Sequence, residues 1–312
     1  MPLRIVFCGT PAFALPTLRA LIAQPDFQVD AVVTQPDRPR GRGHETYSAP
    51  VKRAALEAGI AVYQPEKIKS ESAFDFFQRV APDAVVIIAY GQIIPQRLIA
   101  LPRLGWINLH GSLLPKYRGA APINWAIVNG ETRTGVTTMQ VDAGLDTGPI
   151  LLTHAVDIAP DETAPEVSLR LAEAGTPLMV ETLRRLERGE ITPQPQNSAE
   201  ATLAPPLKKE DGRIDWNLAA RKIYNRIRGL ESWPGAFTIF RGKTCHIWGK
   251  PAQEKAEGTP GAIFMRGHGV LVTCGEHTAL QLEFAQLEGR KRVTAQEYAN
   301  GARLSPSDRF GA

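Results

Sequence analysis

Short apolar runs recur through the first third of the chain, at Arg4 to Cys8, Val29 to Val33, Ala61 to Tyr63, Asp83 to Ala89 and Gly105 to His110, with segments of helical periodicity between most of them. Leu15, Leu18, Leu21 and Ile22 mark the first of these helices, and further helices are expected from Val51 to about Ala58 and from Ala73 to Val80. Alternation of this kind requires a mostly parallel sheet covered on both faces, because each crossover lays a helix on one side. The first strand runs into Gly9-Thr10-Pro11. Strand, glycine turn and helix is the opening of a Rossmann-like domain. Gly-x-Gly-x-x-Gly is missing from that turn, so no dinucleotide is implied.

The strand Gly105 to His110 stops at Gly111-Ser112. Side chains two apart on a strand share a face, so Asn108 and His110 point one way and Leu109 the other. A buried carboxamide and imidazole need hydrogen-bond partners. Either a ligand or the neighbouring loops would satisfy them. Further on, Thr137 to Pro149 reads as a glycine-rich loop with two carboxylates, Asp142 and Asp146, closed by Gly148-Pro149. A loop carboxylate beside a strand-end histidine fixes its tautomer and supports a positive ring.

Asn108-x-His110-Gly-Ser-Leu-Leu-Pro-x-Tyr-Arg-Gly119 followed by Asp142-x-Gly-Leu-Asp-Thr-Gly-Pro149 resembles the motif pair of the folate-dependent formyltransferases. The resemblance implies transfer of the formyl group of 10-formyltetrahydrofolate, with no metal, to the free amino group of initiator methionyl-tRNA. It makes Asn108, His110 and Asp146 the expected catalytic residues: two donors for the carbonyl oxygen, and a carboxylate that holds His110 or takes the amine proton. Ser112, Leu113, Leu114 and Pro115 are expected to shape the folate cleft. Tyr90 lies in a turn that borders the pterin pocket in the family. Asp142 either caps its own loop or faces the pterin. Thr34 to Pro50, with three arginines, is a loop by composition. In the family an insertion here reaches the acceptor end of the tRNA, which makes Arg38, Arg40 and Arg42 candidate RNA contacts. His44-Glu45 stands where the family commonly has a basic pair.

The net charge of +4 is unevenly spread. Residues 1 to 204 carry 19 Lys+Arg against 21 Asp+Glu, and residues 205 to 312 carry 17 against 11. A basic excess confined to one segment suits a polyanionic partner, although it also suits a solvated surface. Five short strands, Ala236 to Phe240, Thr244 to Trp248, Gly261 to Phe264, Val270 to Cys274 and Ala279 to Phe284, suggest a small barrel in that segment. Lys208, Lys209 and Arg290-Lys291-Arg292 lie at its edges, and a helix before it carries Arg221, Lys222, Arg226 and Arg228.

The expected fold is therefore α/β, a Rossmann-like mostly parallel open sheet followed by a smaller OB-like β-barrel domain. The expected division is a catalytic domain at 1–192, a proline-rich linker at 193–206 and a tRNA-binding domain at 207–312. Residues Val167, Leu171, Ala174 and Leu178 should form the buried stripe of a long helix ending at Gly189. Cys8, Cys245 and Cys274 are an odd number at wide spacing, which argues against disulfides and zinc. The apolar amino terminus lacks a basic lead and cleavage site, and Ala84 to Ile88 is too short to cross a bilayer. A cytoplasmic monomer is expected. The catalytic motif is shared by formyltransferases acting on nucleotide amino sugars, which form the second reading. A tRNA-binding protein with a vestigial enzyme domain is the third.

Overall fold

The computed structural model describes residues 1–39, 46–305 and 307–311. The chain divides into two compact units. The first comprises Met1–Pro122, Arg133–Asp157 and Ser168–Ala204; the second comprises Ile123–Thr132, Ile158–Val167 and Pro205–Ala312.

The first unit is built on a seven-stranded sheet. Its strands are β1 (Leu3–Gly9), β2 (Phe27–Val33), β5 (Ala61–Tyr63), β6 (Ala84–Ile88), β7 (Trp106–His110), β8 (Arg133–Gln140) and β9 (Ile150–Asp157), in the spatial order β5-β2-β1-β6-β7-β8-β9. Two-residue strands β3 (Arg38–Pro39) and β4 (Thr46–Tyr47) pair separately in the loop after Thr34. The five strands from β5 to β7 run parallel. Helices α1 (Leu15–Ala23), α2 (Pro50–Glu57) and α3 (Glu71–Val80) lie in the crossovers, and the short α4 (Gln96–Ile99) precedes β7. β1 and β6 are entirely apolar apart from Arg4 and the glycine, and they occupy the middle of the sheet.

The sheet departs from the expected pattern at β7. β8 and β9 pair antiparallel beyond it. Thr137 to Gln140, read from sequence as the start of a loop, are the end of β8. Arg133 to Gln140 contains threonines, a glycine and a glutamine, so no apolar alternation announces a strand. Its polar side chains are satisfied internally: Thr138 Oγ1 lies 2.8 Å from Thr182 Oγ1, and Thr137 Oγ1 donates to the Ser112 carbonyl at 2.7 Å.

Helix α6 (Ala164–Glu187) covers the Leu109 face of β7. Val167 and Leu171 are buried as expected, but the stripe continues through Gly175 and Met179, not Ala174 and Leu178. The reason is contact distance. A Cβ on Gly175 would stand 2.5 Å from Leu109 Cδ2, so only glycine lets the helix backbone come so close. The helix ends before Gly189, at φ +68°.

The second unit carries α5 (Pro122–Val128) from Ile123 onward, α7 (Ala220–Gly229), a six-stranded antiparallel sheet and α8 (Ala295–Ala302). Its strands are β10 (Phe237–Phe240), β11 (Lys243–Pro251), β12 (Ile263–Arg266), β13 (Gly269–Thr273), β14 (Ala279–Leu287) and β15 (Val293–Thr294). They run β10-β11-β14-β13-β12, with β15 on β14. Ile214, Trp216, Ile223, Ile227, Phe240 and Phe310 belong to its core, and Trp216 stacks on Phe310 with centroids 5.5 Å apart. Of the basic residues expected on α7, Arg228 is buried, bonded to Asn225 Oδ1 and the Glu162 carbonyl. It is part of the packing and adds nothing to the surface charge.

Candidate active site

Cross-strand register decides which side chains of β7 meet which loops. Leu109 pairs with Thr138, and both face α6. Asn108 pairs with Met139 and His110 with Thr137, so these four occupy the opposite face. The loop after β8 begins beside Trp106, where Val141 N donates to the Trp106 carbonyl at 2.8 Å, and doubles back over that face. Gly148 makes this possible: a Cβ there would lie 1.8 Å from the Gln140 carbonyl oxygen.

The return brings Asp146 to His110. Asp146 Oδ2 lies 3.6 Å from His110 Nδ1, with both side chains mostly shielded from solvent. The same oxygen accepts the Gly119 amide at 2.9 Å. Asp146 holds a left-handed backbone, φ +51°, a conformation a non-glycine residue adopts only where its surroundings impose it. On the other side of the ring, His110 Nε2 lies 2.9 Å from the Tyr117 carbonyl. A carbonyl can only accept, so Nε2 carries a proton and donates. Nδ1 is left facing Asp146.

Asn108 is half-buried, and its carboxamide makes no hydrogen bond among the described residues. It is a donor held on a rigid strand with its capacity unspent.

The turn after His110 is anchored from beneath. Ser112 Oγ donates to the Lys116 carbonyl at 2.7 Å, and Leu114 N donates to Thr137 Oγ1 at 3.2 Å. Ser112 and Leu114 are buried, while Leu113 and Pro115 are partly exposed. Asp142 turns inward: its Oδ1 accepts the Gly144 amide at 3.0 Å and the Thr147 hydroxyl at 2.7 Å. It caps its own loop. Tyr90 is 2% exposed, and burial pushes its phenol up. It is core, so at the strand end it presents its carbonyl, which accepts from Gln35 Nε2 at 3.0 Å. Ile93, three residues on, is 87% exposed.

Arg38 is exposed on β3. Arg40, Arg42, His44 and Glu45 lie outside the described residues. Lys208 and Lys209 are exposed but are followed at once by Glu210 and Asp211, and the Asp211 carboxylate accepts the Lys208 amide at 2.7 Å. Arg292 is held over Trp248 and Phe284, 4.1 and 4.3 Å from the ring centroids. All three cysteines are buried, and burial alone pushes the Cys8 thiol well above its ordinary value; burial also pushes Cys274 up, to about 12, against a backbone hydrogen bond with Leu280.

Sequence reasoning missed three residues at this site. Thr137 carries the turn. Arg118 and Gln196 hold the Asp146 loop: Gln196 Nε2 donates to the carbonyls of Asp146 and Gly148 at 2.9 and 2.7 Å, and its Oε1 accepts from Arg118. No local pattern marks Gln196, which sits in the proline-rich stretch expected to be a linker. That stretch is bonded along the first unit up to Ala204, through Gln194 with Ile150, Thr202 with Arg118 and Ala204 with Arg118.

Residues 3–183 match the family described as formyl transferase, and residues 206–303 match the formyl transferase C-terminal domain. The chain is 54% identical over 310 residues to a methionyl-tRNA formyltransferase of Solibacter usitatus, covering 99% of both chains. It is 53% identical over 308 residues to that of Koribacter versatilis, covering 98% of both. Among solved structures it resembles WlaRD, a sugar 3N-formyl transferase crystallised with dTDP and 5-N-formyl-THF, at a TM-score of 0.69 and 17% identity over 93% of this chain and 100% of that one. That likeness concerns the fold. With both domain descriptions matched and about half of all residues shared along its full length, the chain belongs to the methionyl-tRNA formyltransferases of the formyl transferase family.

Proposed function

We propose that the chain transfers the formyl group of 10-formyltetrahydrofolate to the free amino group of initiator methionyl-tRNA, with Asn108, His110 and Asp146 as its catalytic residues. The observation that carries the catalytic assignment is the approach of Asp146 to His110 Nδ1, 3.6 Å, beside the unpaired Asn108 carboxamide.

In the reaction the amine nitrogen bonds to the formyl carbon and the bond from that carbon to N10 of the folate breaks. The carbonyl oxygen gains negative charge between these events. Asn108 donates to it from a fixed strand position, and His110, with Nε2 committed to Tyr117 and Nδ1 facing Asp146, supports that charge as an imidazolium beside it. A preorganised donor such as Asn108 contributes about 3 kcal/mol. Asp146 is the counter-charge to the imidazolium, and it or a water it orders takes the proton that the amine must lose. That proton ends on N10.

Ser112 to Pro115 and the exposed Ile93 border the folate cleft, the former through backbone and Leu113. Asp142 serves the cleft by shaping the Asp146 loop, and Tyr90 serves it through its backbone. Arg38, Arg40 and Arg42 contact the acceptor end of the tRNA, and Lys208, Lys209 and the second unit supply the phosphate contacts. The protein acts in the cytoplasm, where charged tRNA is found. Among the described residues no helix is long and apolar enough to cross a membrane.

The deciding experiment supplies the formyl donor with charged initiator tRNA, charged elongator tRNA or a dTDP-linked amino sugar. Formylation of the initiator species is expected, with tRNA affinity falling steeply with salt. Transfer to the sugar in preference to the tRNA would replace this reading with the sugar formyltransferase one.

A further inference from the structure

The Asp146 loop owes its position to a residue fifty places along the chain. Gln196 donates both amide hydrogens into that loop, to the Asp146 carbonyl at 2.9 Å and the Gly148 carbonyl at 2.7 Å. Its single oxygen accepts two hydrogens from Arg118, Nε at 3.0 Å and Nη2 at 2.8 Å. The carboxamide is therefore saturated, two bonds given and two received.

Arg118 is 7% exposed. Among the described residues no carboxylate stands within ion-pair distance of it, and each hydrogen bond of its side chain ends on Gln196 Oε1. A guanidinium buried in this way polarises the amide it touches, because hydrogen bonds in series strengthen one another at low dielectric. The amide then donates more strongly to the two loop carbonyls. The first of those carbonyls belongs to Asp146, the residue with the left-handed backbone. The backbone next to Arg118 closes the circuit, since the Gly119 amide binds the Asp146 carboxylate, and Gly119 itself is pressed against the Ala204 carbonyl of the same arm.

We infer that Gln196, polarised by Arg118, is a positioning residue that holds Asp146 against His110 during formyl transfer. The inference rests on the reading of Asp146 as a catalytic group. Gln196 touches no reacting atom. Its function is to keep a strained loop in the one arrangement in which the carboxylate faces the ring, so its loss reaches the chemistry only through Asp146.

The test uses the full chain in the transfer assay. Gln196→Ala is expected to lower kcat by about tenfold or more while KM for folate and tRNA each change by less than about twofold, as befits a group acting on the transition state alone. Gln196→Glu keeps an acceptor for Arg118 but loses both donors to the loop. It should melt near the wild-type temperature and still show the kcat loss, which separates loop positioning from the burial of Arg118. In an Asp146→Asn background, Gln196→Glu should cost less than about twofold more, because residues that act as one unit are not additive.

Wild-type kcat in Gln196→Glu, or a full multiplicative loss in the double variant, would overturn the inference. If Asp146→Asn alone keeps normal turnover, the catalytic reading of Asp146 has failed instead, and amide hydrogen exchange at Gly119 decides the positioning claim. Exchange about tenfold faster in Gln196→Glu than in wild type upholds it. Unchanged exchange ends it.

Discussion

Gly119 and Asp146 are joined by a hydrogen bond, 2.9 Å from the Gly119 amide to Oδ2, and that same carboxylate oxygen faces His110 Nδ1 at 3.6 Å. One oxygen thus ties the turn after β7 to the loop after β8. The backbone bond fixes the carboxylate's direction, and the ring receives what that direction leaves free.

Asp146→Asn keeps an acceptor for the Gly119 amide and removes the charge. The fold should survive and kcat should fall by roughly 10²- to 10⁴-fold, the range for loss of an acid–base group. Single-turnover formylation of charged tRNA, with circular dichroism as the folding control, measures both.

Gly119→Ala attacks the same junction through the backbone. Gly119 stands at φ +125°, and an added Cβ would be 2.5 Å from the Ala204 carbonyl oxygen. A side chain in that region costs on the order of 1–3 kcal/mol before the collision is counted. A lowered urea midpoint together with a kcat loss is expected. An unchanged midpoint would mean that the arm carrying Ala204 yields without cost.

The closeness of α6 to β7 gives a packing test. Gly175→Ala drives a methyl to 2.5 Å from Leu109 Cδ2, and overpacking of this kind costs about 1–3 kcal/mol. Leu109→Ala alone leaves a cavity and costs about 2–5 kcal/mol. The double variant should be less destabilised than the two losses summed, because the new methyl partly fills the space left by the leucine. Denaturant melts of the three proteins give the coupling.

Acid stability of the second unit should depend on Asp308. Its carboxylate forms two bonds with Arg241, at 2.9 and 2.7 Å, and accepts from Ser305, so its pKa is held down at about 2. A depressed carboxylate stabilises the fold above its unfolded value near 4 and loses that contribution as pH falls toward 2. Arg241 is half exposed, so solvent screening keeps the effect small. Asp308→Asn should therefore be less stable than wild type at pH 7 and equal to it near pH 2. A gap that persists unchanged at pH 2 would place the effect in packing and not in charge.

The expected pattern of strand and helix was legible because β6, most of β1 and the end of β2 from Ala31 to Val33 are buried on both faces and must be apolar there. Alternation in groups of two predicted that Asn108 and His110 would share a side, since that depends only on the pleat of one strand. β8 was hidden because its buried threonines are satisfied by Thr182 and the Ser112 carbonyl, partners that no local window contains. The stripe of α6 was misplaced by one residue because a glycine, silent in any hydrophobic pattern, packs tightest against Leu109.

Asn108, His110 and Asp146 are legible as residue types at fixed spacing, and the sequence by itself specified the strand that carries the first two. The distance from Asp146 to His110 was decided only in three dimensions. It depends on a doubled-back loop, a glycine pressed on a carbonyl and a carboxamide supplied from residue 196. Those contacts join segments far apart in sequence, and hydrogen bonds between distant segments leave no periodic trace in the chain that makes them.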